Sequence, residues 1–403
     1  MGLLKKHELE ARERGYDELS TFVCEECVGD DFLKSITRAA VNKLGCSYCG
    51  RTSGDPIAAP AMILIDHIYR AVRKYFDDPD AAGVPYDGGY VMDSTHLADI
   101  LDDLGLACHD SFHEDIVSAF HNQYWVSAPG GHWASSEESD VFTYSWATFS
   151  NKVQHECRFF FSVADSQDDY DPNLIDAQRM LPTLGKLIQD VDLIRPLANG
   201  QILYRARQKP SEIGWEPNAQ TMGSPPAPLA RAGRMNPAGI SYLYLAFDQR
   251  AALAEVFPGA PSSVVTAQFA MTREIHVLDL CALPALPSRF DADRKSIREA
   301  LLFLGQFVKD ISMPVTKDGR EHIEYVPSQI VCEYFALSFR AKNNNRIDGI
   351  VYPSAILPGG RNVVLFPTAR GYQSEFDSVR FSSSTDLVLG TWDDVIAALQ
   401  SWS

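Results

Sequence analysis

Apolar and polar positions divide the chain into a helical half and a half rich in short strands. Apolar residues recur at helical spacing in APAMILIDHIYRAVRKYF (59–76), in STHLADILDDLGL (94–106), where Ser94 is the expected cap, and in SFHEDIVSAFHNQYWV (111–126). The same period returns in NLIDAQRMLPTLGKLIQDVDLI (173–194), after an acidic loop and the ambiguous run FTYSWATFSNKVQHECRFFFSV (142–163). From RPLANGQ (195–201), read as a linker, the period shortens. ILYRARQ (202–208), SYLYLAF (241–247) and SSVVTAQFAMTREIHVLDL (262–280) predict buried strands. DRKSIREALLFLGQFVKDI (293–311) predicts a helix, and YVPSQIVCEYFALSF (325–339) a strand end, a turn at Pro327 and a helix starting at Ser328. DGIVYPSAILPGGRNVVLF (348–366) supplies two further strands around a Pro/Gly loop.

The stretch RAGRMNPAGISYLYLAFDQRAALAEV (231–256) gathers the most chemistry. Arg231 and Arg234 lie in a loop with Gly233, Asn236, Pro237 and Gly239, residues that support turns and are expected to leave backbone N–H groups facing an anion. A strand follows, and then a helix capped by Asp248 that carries Glu255.

Near the N-terminus, Cys24, Cys27, Cys46 and Cys49 form the pattern C-x2-C-x18-C-x2-C. Two such pairs present four thiolates to one ion, which predicts a structural zinc with a closed shell and no open position for substrate. His109 and His113 share a helix face but have no evident third ligand, so they are read as ordinary packed or solvated side chains.

At 403 residues, with 45% hydrophobic residues, the chain is long enough for two or three domains with a sizeable core. A formal charge of −17 disfavours a broad grip on nucleic acid or on an anionic membrane, though not a local basic pocket. With no apolar signal-like stretch and no run long enough to span a bilayer, the expected location is the cytoplasm, where the eight cysteines remain reduced. The expected organisation is a four-cysteine segment (1–55), a helical domain (56–195), an α+β domain (200–370) and a C-terminal extension (371–403).

With Tyr204 and Arg205, GRMNP…YLYLA…ALAE (233–255), PSQIVCEYF (327–335) and DGIVYPS…RNVVLF (348–366), the C-terminal half resembles the RES domain family, named for an Arg, a Glu and a Ser. The N-terminal half is similar to the HEPN-like domain that precedes RES in some bacterial proteins. An R-x4-6-H ribonuclease pattern is not evident between residues 56 and 200, so a regulatory, sensing or oligomerising role is expected there. The resemblance implies an ADP-ribosyltransferase-like β core with flanking helices, and a member that consumes NAD as glycohydrolase or phosphorylase. It further implies a toxin restrained by an antitoxin or other regulatory protein, with inorganic phosphate as one candidate acceptor; whether copies assemble is left open. Residue by residue, the family arginine falls on Arg205, the tyrosine on Tyr244, the glutamate on Glu255 and the serine on Ser328, which is preferred to Ser354 because Gln329 and the following helix also fit. Arg234, with Asn236 beside it, matches the basic loop and joins Arg205 and Tyr244 as an NAD-binding residue.

The residue types suit that chemistry. Cleaving the nicotinamide–ribose bond builds positive charge on the ribose, which a carboxylate such as Glu255 stabilises. Guanidinium forks such as Arg205 and Arg234 match a pyrophosphate. Tyr244 would offer a ring or hydroxyl to the ribose, and Ser328 a short hydrogen-bonding group. ADP-ribose transfer to a macromolecule needs the same pocket, whereas an inactive zinc-containing adaptor would use none of it.

Overall fold

The structure is a computed structural model and describes residues 11–161, 171, 173–211, 213–257, 262–313, 319–367 and 378–389. The first ten residues, and the expected C-terminal extension apart from 378–389, lie outside the described residues. The fold is mixed α+β, with a mainly helical N-terminal half and one large C-terminal sheet. Its chain divides into two compact units, Met1–Val141 with Ala285–Leu302, and Phe142–Pro284 with Phe303–Ser403.

In the first unit, β1 (Phe22–Cys24) pairs antiparallel with β2 (Ala58–Pro60), and α1 (Asp31–Ala40) starts where Asp30 accepts from the Leu33 N–H at 3.0 Å. Helix α2 (Ala61–Tyr75) follows the expected period and buries Leu64, Ile65, Ile68, Ala71 and Val72 completely. Helix α3 (Leu97–Asp103) is capped by His96, whose ring nitrogen accepts from Ala98 N–H, and not by Ser94; Thr95 and His96 are drawn into a strand, which moves the start two residues on. After α4 (Asp110–Ala119), Tyr124–Ser127 leaves the helical period and becomes the central strand β5 between β3 (Phe76–Asp77) and β4 (Thr95–His96). Its Trp125 and Val126 are buried, and aromatic and β-branched side chains favour a pleated surface. Phe290, from the returning segment, enters the same core.

Helix α5 (Glu138–Asn151) leads into the second unit, where α6 (Ala177–Asp190) precedes the sheet. The strands are β6 (Ile194–Leu197), β7 (Ile202–Gln208), β8 (Leu243–Ala246), β9 (Ser262–Met271), β10 (Ile275–Asp279), β11 (Gly349–Pro353), β12 (Arg361–Leu365) and β13 (Val379–Leu389). They lie in the order β13-β9-β7-β8-β12-β11-β10-β6, antiparallel except for β10 beside β11. The expected linker RPLANGQ thus supplies edge strand β6, a position where Pro196 forfeits no needed ladder donor.

Strands β7 and β9 stay in register from Ile202–Ala270 to Gln208–Val264, but β7 and β8 share the single pair Tyr204–Ala246. The sheet parts there. Helix α7 (Gln249–Val256), capped by the Asp248 carboxylate on Ala251 N–H at 2.8 Å, packs its Ala251, Ala252 and Leu253 against Ala206 and Ala246. Helix α8 (Lys295–Ser312) begins among residues of the first unit, and α9 spans Val326–Glu333. Pro327 does not form a turn before α9 but sits inside its first turn, where a missing N–H costs nothing; the residues before it are helical, not a strand end. Among the described residues, no helix is long and apolar enough to cross a membrane.

Close strand packing makes a test of the sheet. A Cβ at Gly349 would lie 2.4 Å from the Val364 carbonyl oxygen, so Gly349→Ala should lower stability by about 1–3 kcal/mol, read as a lower unfolding midpoint in denaturant. An unchanged midpoint would contradict the β11–β12 register.

Candidate active site and cysteine cluster

Where β7 and β8 part, a cavity of about 280 Å³ opens, lined by Tyr204, Arg205, Tyr244, Glu255, Tyr352 and Asn362 among others. Arg205, Tyr244 and Glu255 therefore share one cavity. Glu255 lies on α7 with its side chain exposed; the Ser354 hydroxyl donates to its Oε1 at 2.8 Å and the Asn362 amide to the same oxygen at 2.7 Å. Among the described residues Oε2 has no protein partner. Ser354 is itself held by N–H groups of Ile356 (3.3 Å) and Leu357 (3.1 Å), so the carboxylate is fixed by one oxygen and open at the other.

Arg205 donates to the carbonyls of Gly223 (2.6 Å) and Met222 (3.2 Å), and Arg207 donates to the same Gly223 oxygen at 3.0 Å. No ion pair joins either guanidinium to a carboxylate among the described residues. Burial, and then the neighbouring Arg207, pulls the Arg205 pKa down to about 9, which still leaves it a cation at neutral pH. Arg205 is thus a part-buried cation whose recorded acceptors are neutral carbonyls.

The loop that carries Arg234 is braced internally. Gly233 N–H donates to the Asn236 carbonyl and Met235 N–H to the Tyr244 hydroxyl, while Gly239 and Ile240 N–H find the carbonyls of Ala230 and Pro237. These four N–H groups are taken up within the protein and do not face an anion. Asn236 is buried; its amide nitrogen reaches the carbonyls of Arg231, Pro237 and Ile240 at 2.8–3.0 Å, and its oxygen accepts from Tyr244 at 2.7 Å. Its side chain braces the loop. Burial raises the Tyr244 pKa, so the hydroxyl stays protonated and donates to Asn236.

Ser328 and Arg234 are not among the residues lining the Glu255 cavity; both line a second, larger one. The Ser328 hydroxyl lies 2.5 Å from the Arg234 carbonyl and 3.0 Å from that of Tyr325, and Gln329 donates to the carbonyls of Gly233 and Asn236. Start-of-helix residues thus hold the loop from behind. Sequence reasoning singled out neither Tyr352 nor Asn362, although both lie in the quoted YPS and RNVVLF motifs; strand pairing of Tyr352 with Asn362 brings them into one cavity.

In the first unit, the ligand atoms of Cys24, Cys27, Cys46 and Cys49 lie within 4.8 Å of one another, with Cys24–Cys27, Cys24–Cys49 and Cys27–Cys46 sulfurs 3.6–3.7 Å apart. A zinc ion with bonds of about 2.3 Å needs tetrahedral edges of about 3.8 Å, so the cluster could hold such a metal; disulfides need about 2.05 Å. Burial opposes ionisation of Cys46, but N–H groups of Cys49, Tyr48 and Cys24 hold its pKa down to about 7.

The parted sheet, the fixed carboxylate and the part-buried guanidinium of Arg205 meet at one cleft of an α+β domain. Residues 202–384 match the RES domain, and residues 39–167 match HEPN/RES N-terminal domain 1. The chain carries an RES domain behind an HEPN/RES N-terminal domain, and RES domains are NAD-acting. No curated protein matches it.

The brace gives a test independent of activity. Tyr244→Phe keeps the ring but strands the Met235 N–H and the Asn236 oxygen, and should cost about 1–3 kcal/mol by denaturant unfolding. A cost below about 0.5 kcal/mol would mean the hydroxyl does not hold the loop.

Proposed function

We propose that this protein degrades NAD by cleaving the bond between nicotinamide and ribose, with water or phosphate as acceptor. The observation that carries the reading is the Glu255 carboxylate, fixed at Oε1 by Ser354 and Asn362 and open at Oε2, in one cavity with Arg205 and Tyr244. The leaving nicotinamide takes the bonding electrons and departs neutral, so no general acid is required. Positive charge develops on the ribose, where the open oxygen of Glu255 accepts from a hydroxyl and stabilises the charge. Ser354 and Asn362 keep the carboxylate from rotating away, so that little reorganisation accompanies the reaction. In this reading Ser354, and not Ser328, is the serine that serves the carboxylate.

Arg205 meets a phosphate of the dinucleotide, and Tyr244 forms a wall at the ribose end. Such an enzyme depletes a shared cellular cofactor, which fits a cytoplasmic toxin restrained by a partner protein. The four cysteines hold a structural zinc, because a closed thiolate shell leaves no place for substrate.

Purified protein incubated with NAD, with and without phosphate, should release nicotinamide, and the product mass should name the acceptor. Glu255→Ala should slow release by about 10²–10³-fold, with Asn362→Ala and Ser354→Ala reducing kcat less. Release independent of Glu255 would sink the reading. For the zinc, Cys24→Ser and Cys46→Ser should each lose the bound metal by elemental analysis and unfold at lower temperature. Wild-type protein purified without metal, with melting unchanged in the variants, would refute it.

A further inference from the structure

The second cavity has a volume of about 650 Å³, against about 280 Å³ for the one at Glu255. Small-molecule cavities run from about 300 to 1,000 Å³, so the larger one is of nucleotide size while the smaller cannot enclose a dinucleotide. Its inner wall holds Trp146, Ile311 and Pro327, all buried, with the half-buried ring of Tyr325. The half-buried Arg234 adds a guanidinium whose recorded protein partner is a single carbonyl, that of Ser312, the hydroxyl of which is itself buried without a partner among the described residues. Arg320, Asp310 and Glu324 also line the cavity. The aromatic rings of Trp146 and Tyr325 beside the guanidinium of Arg234 suit an aromatic base with a phosphate attached.

Position gives the cavity a consequence. Arg234 belongs to the loop that Tyr244 clasps through Met235 and Asn236, so the loop that brings Arg234 to the second cavity is tied to a residue lining the first. Trp146 lies in the part of the chain matched by the N-terminal domain family, and Arg234 in the RES domain. Both belong to the same compact unit.

We propose that this cavity binds an adenylate-type nucleotide, with its phosphate on Arg234 and its base against Trp146 and Tyr325. The nucleotide is either the distal half of the dinucleotide whose ribose end lies at Glu255, which rests on the NAD reading, or a separate effector. Occupancy then acts on the Glu255 cavity through the Arg234 loop.

The test is calorimetric titration of AMP into full-length Glu255→Ala protein, with adenosine and inorganic phosphate as controls. Saturable AMP binding is expected, with adenosine at least about tenfold weaker, since it lacks the phosphate for Arg234. Arg234→Gln should weaken AMP by about tenfold, and Ala147→Trp, which fills the cavity away from the loop, should abolish binding. No saturable AMP binding, or binding that both variants leave intact, overturns the proposal.

The two sources separate in the nicotinamide-release assay. AMP competing with NAD, and a raised KM for NAD in Ala147→Trp, identify the distal half of the substrate. AMP changing kcat while NAD still binds identifies an effector. AMP binding that needs Arg234 in a protein releasing no nicotinamide would uphold this site while removing the NAD reading.

Discussion

The single residue pair that joins β7 to β8 is the constraint on which the second unit is built. Had these strands stayed in register like β7 and β9, backbone hydrogen bonds would fill the seam. Because they part, the sheet behaves as two leaves, β13-β9-β7 and β8-β12-β11-β10-β6, with a cavity between them. Helix α7 packs across the seam, touching Ala206 on one leaf and Ala246 on the other. Its alanines allow that close approach, and the same helix delivers Glu255 to the opening. Separation of the strands and placement of the carboxylate are one structural event.

Two layers of polar contact then refine the opening. Ser354, just after β11, and Asn362, within β12, converge on one carboxylate oxygen. Asn236, Ser328 and Gln329 do comparable work for the neighbouring loop, meeting carbonyls that a buried turn would otherwise strand. The two arginines of β7 stand apart from this economy, because their recorded acceptors are neutral carbonyls and not carboxylates. Glu255 likewise keeps its Oε2 without a protein partner among the described residues.

Local pattern made much of this legible. Period and turn chemistry located most strands of the large sheet and helices α2, α7 and α8, since each buries one face that the sequence writes plainly. The cysteine spacing anticipated a cluster that could hold metal. Other features depend on distant partners. Pro196 reads as a breaker until β10 gives it an edge to occupy, and Tyr124–Ser127 continues a helical pattern until two short strands flank it. Ser328 and Ser354 both sit beside plausible motifs, and only tertiary folding turns one toward the Arg234 carbonyl and the other toward Glu255. Tyr352 and Asn362 look like ordinary strand residues, because their meeting is set by cross-strand register.

The return of Ala285–Leu302 to the first unit imposes an order on synthesis. The ribosome delivers Arg205, Tyr244 and Glu255 before that returning segment, but Ser354 and Asn362 only after it. A nascent chain therefore has every part of its N-terminal unit in hand before the two donors that anchor the carboxylate exist. Of the residues named at the Glu255 cavity, the two that anchor its carboxylate are thus among the last to be translated.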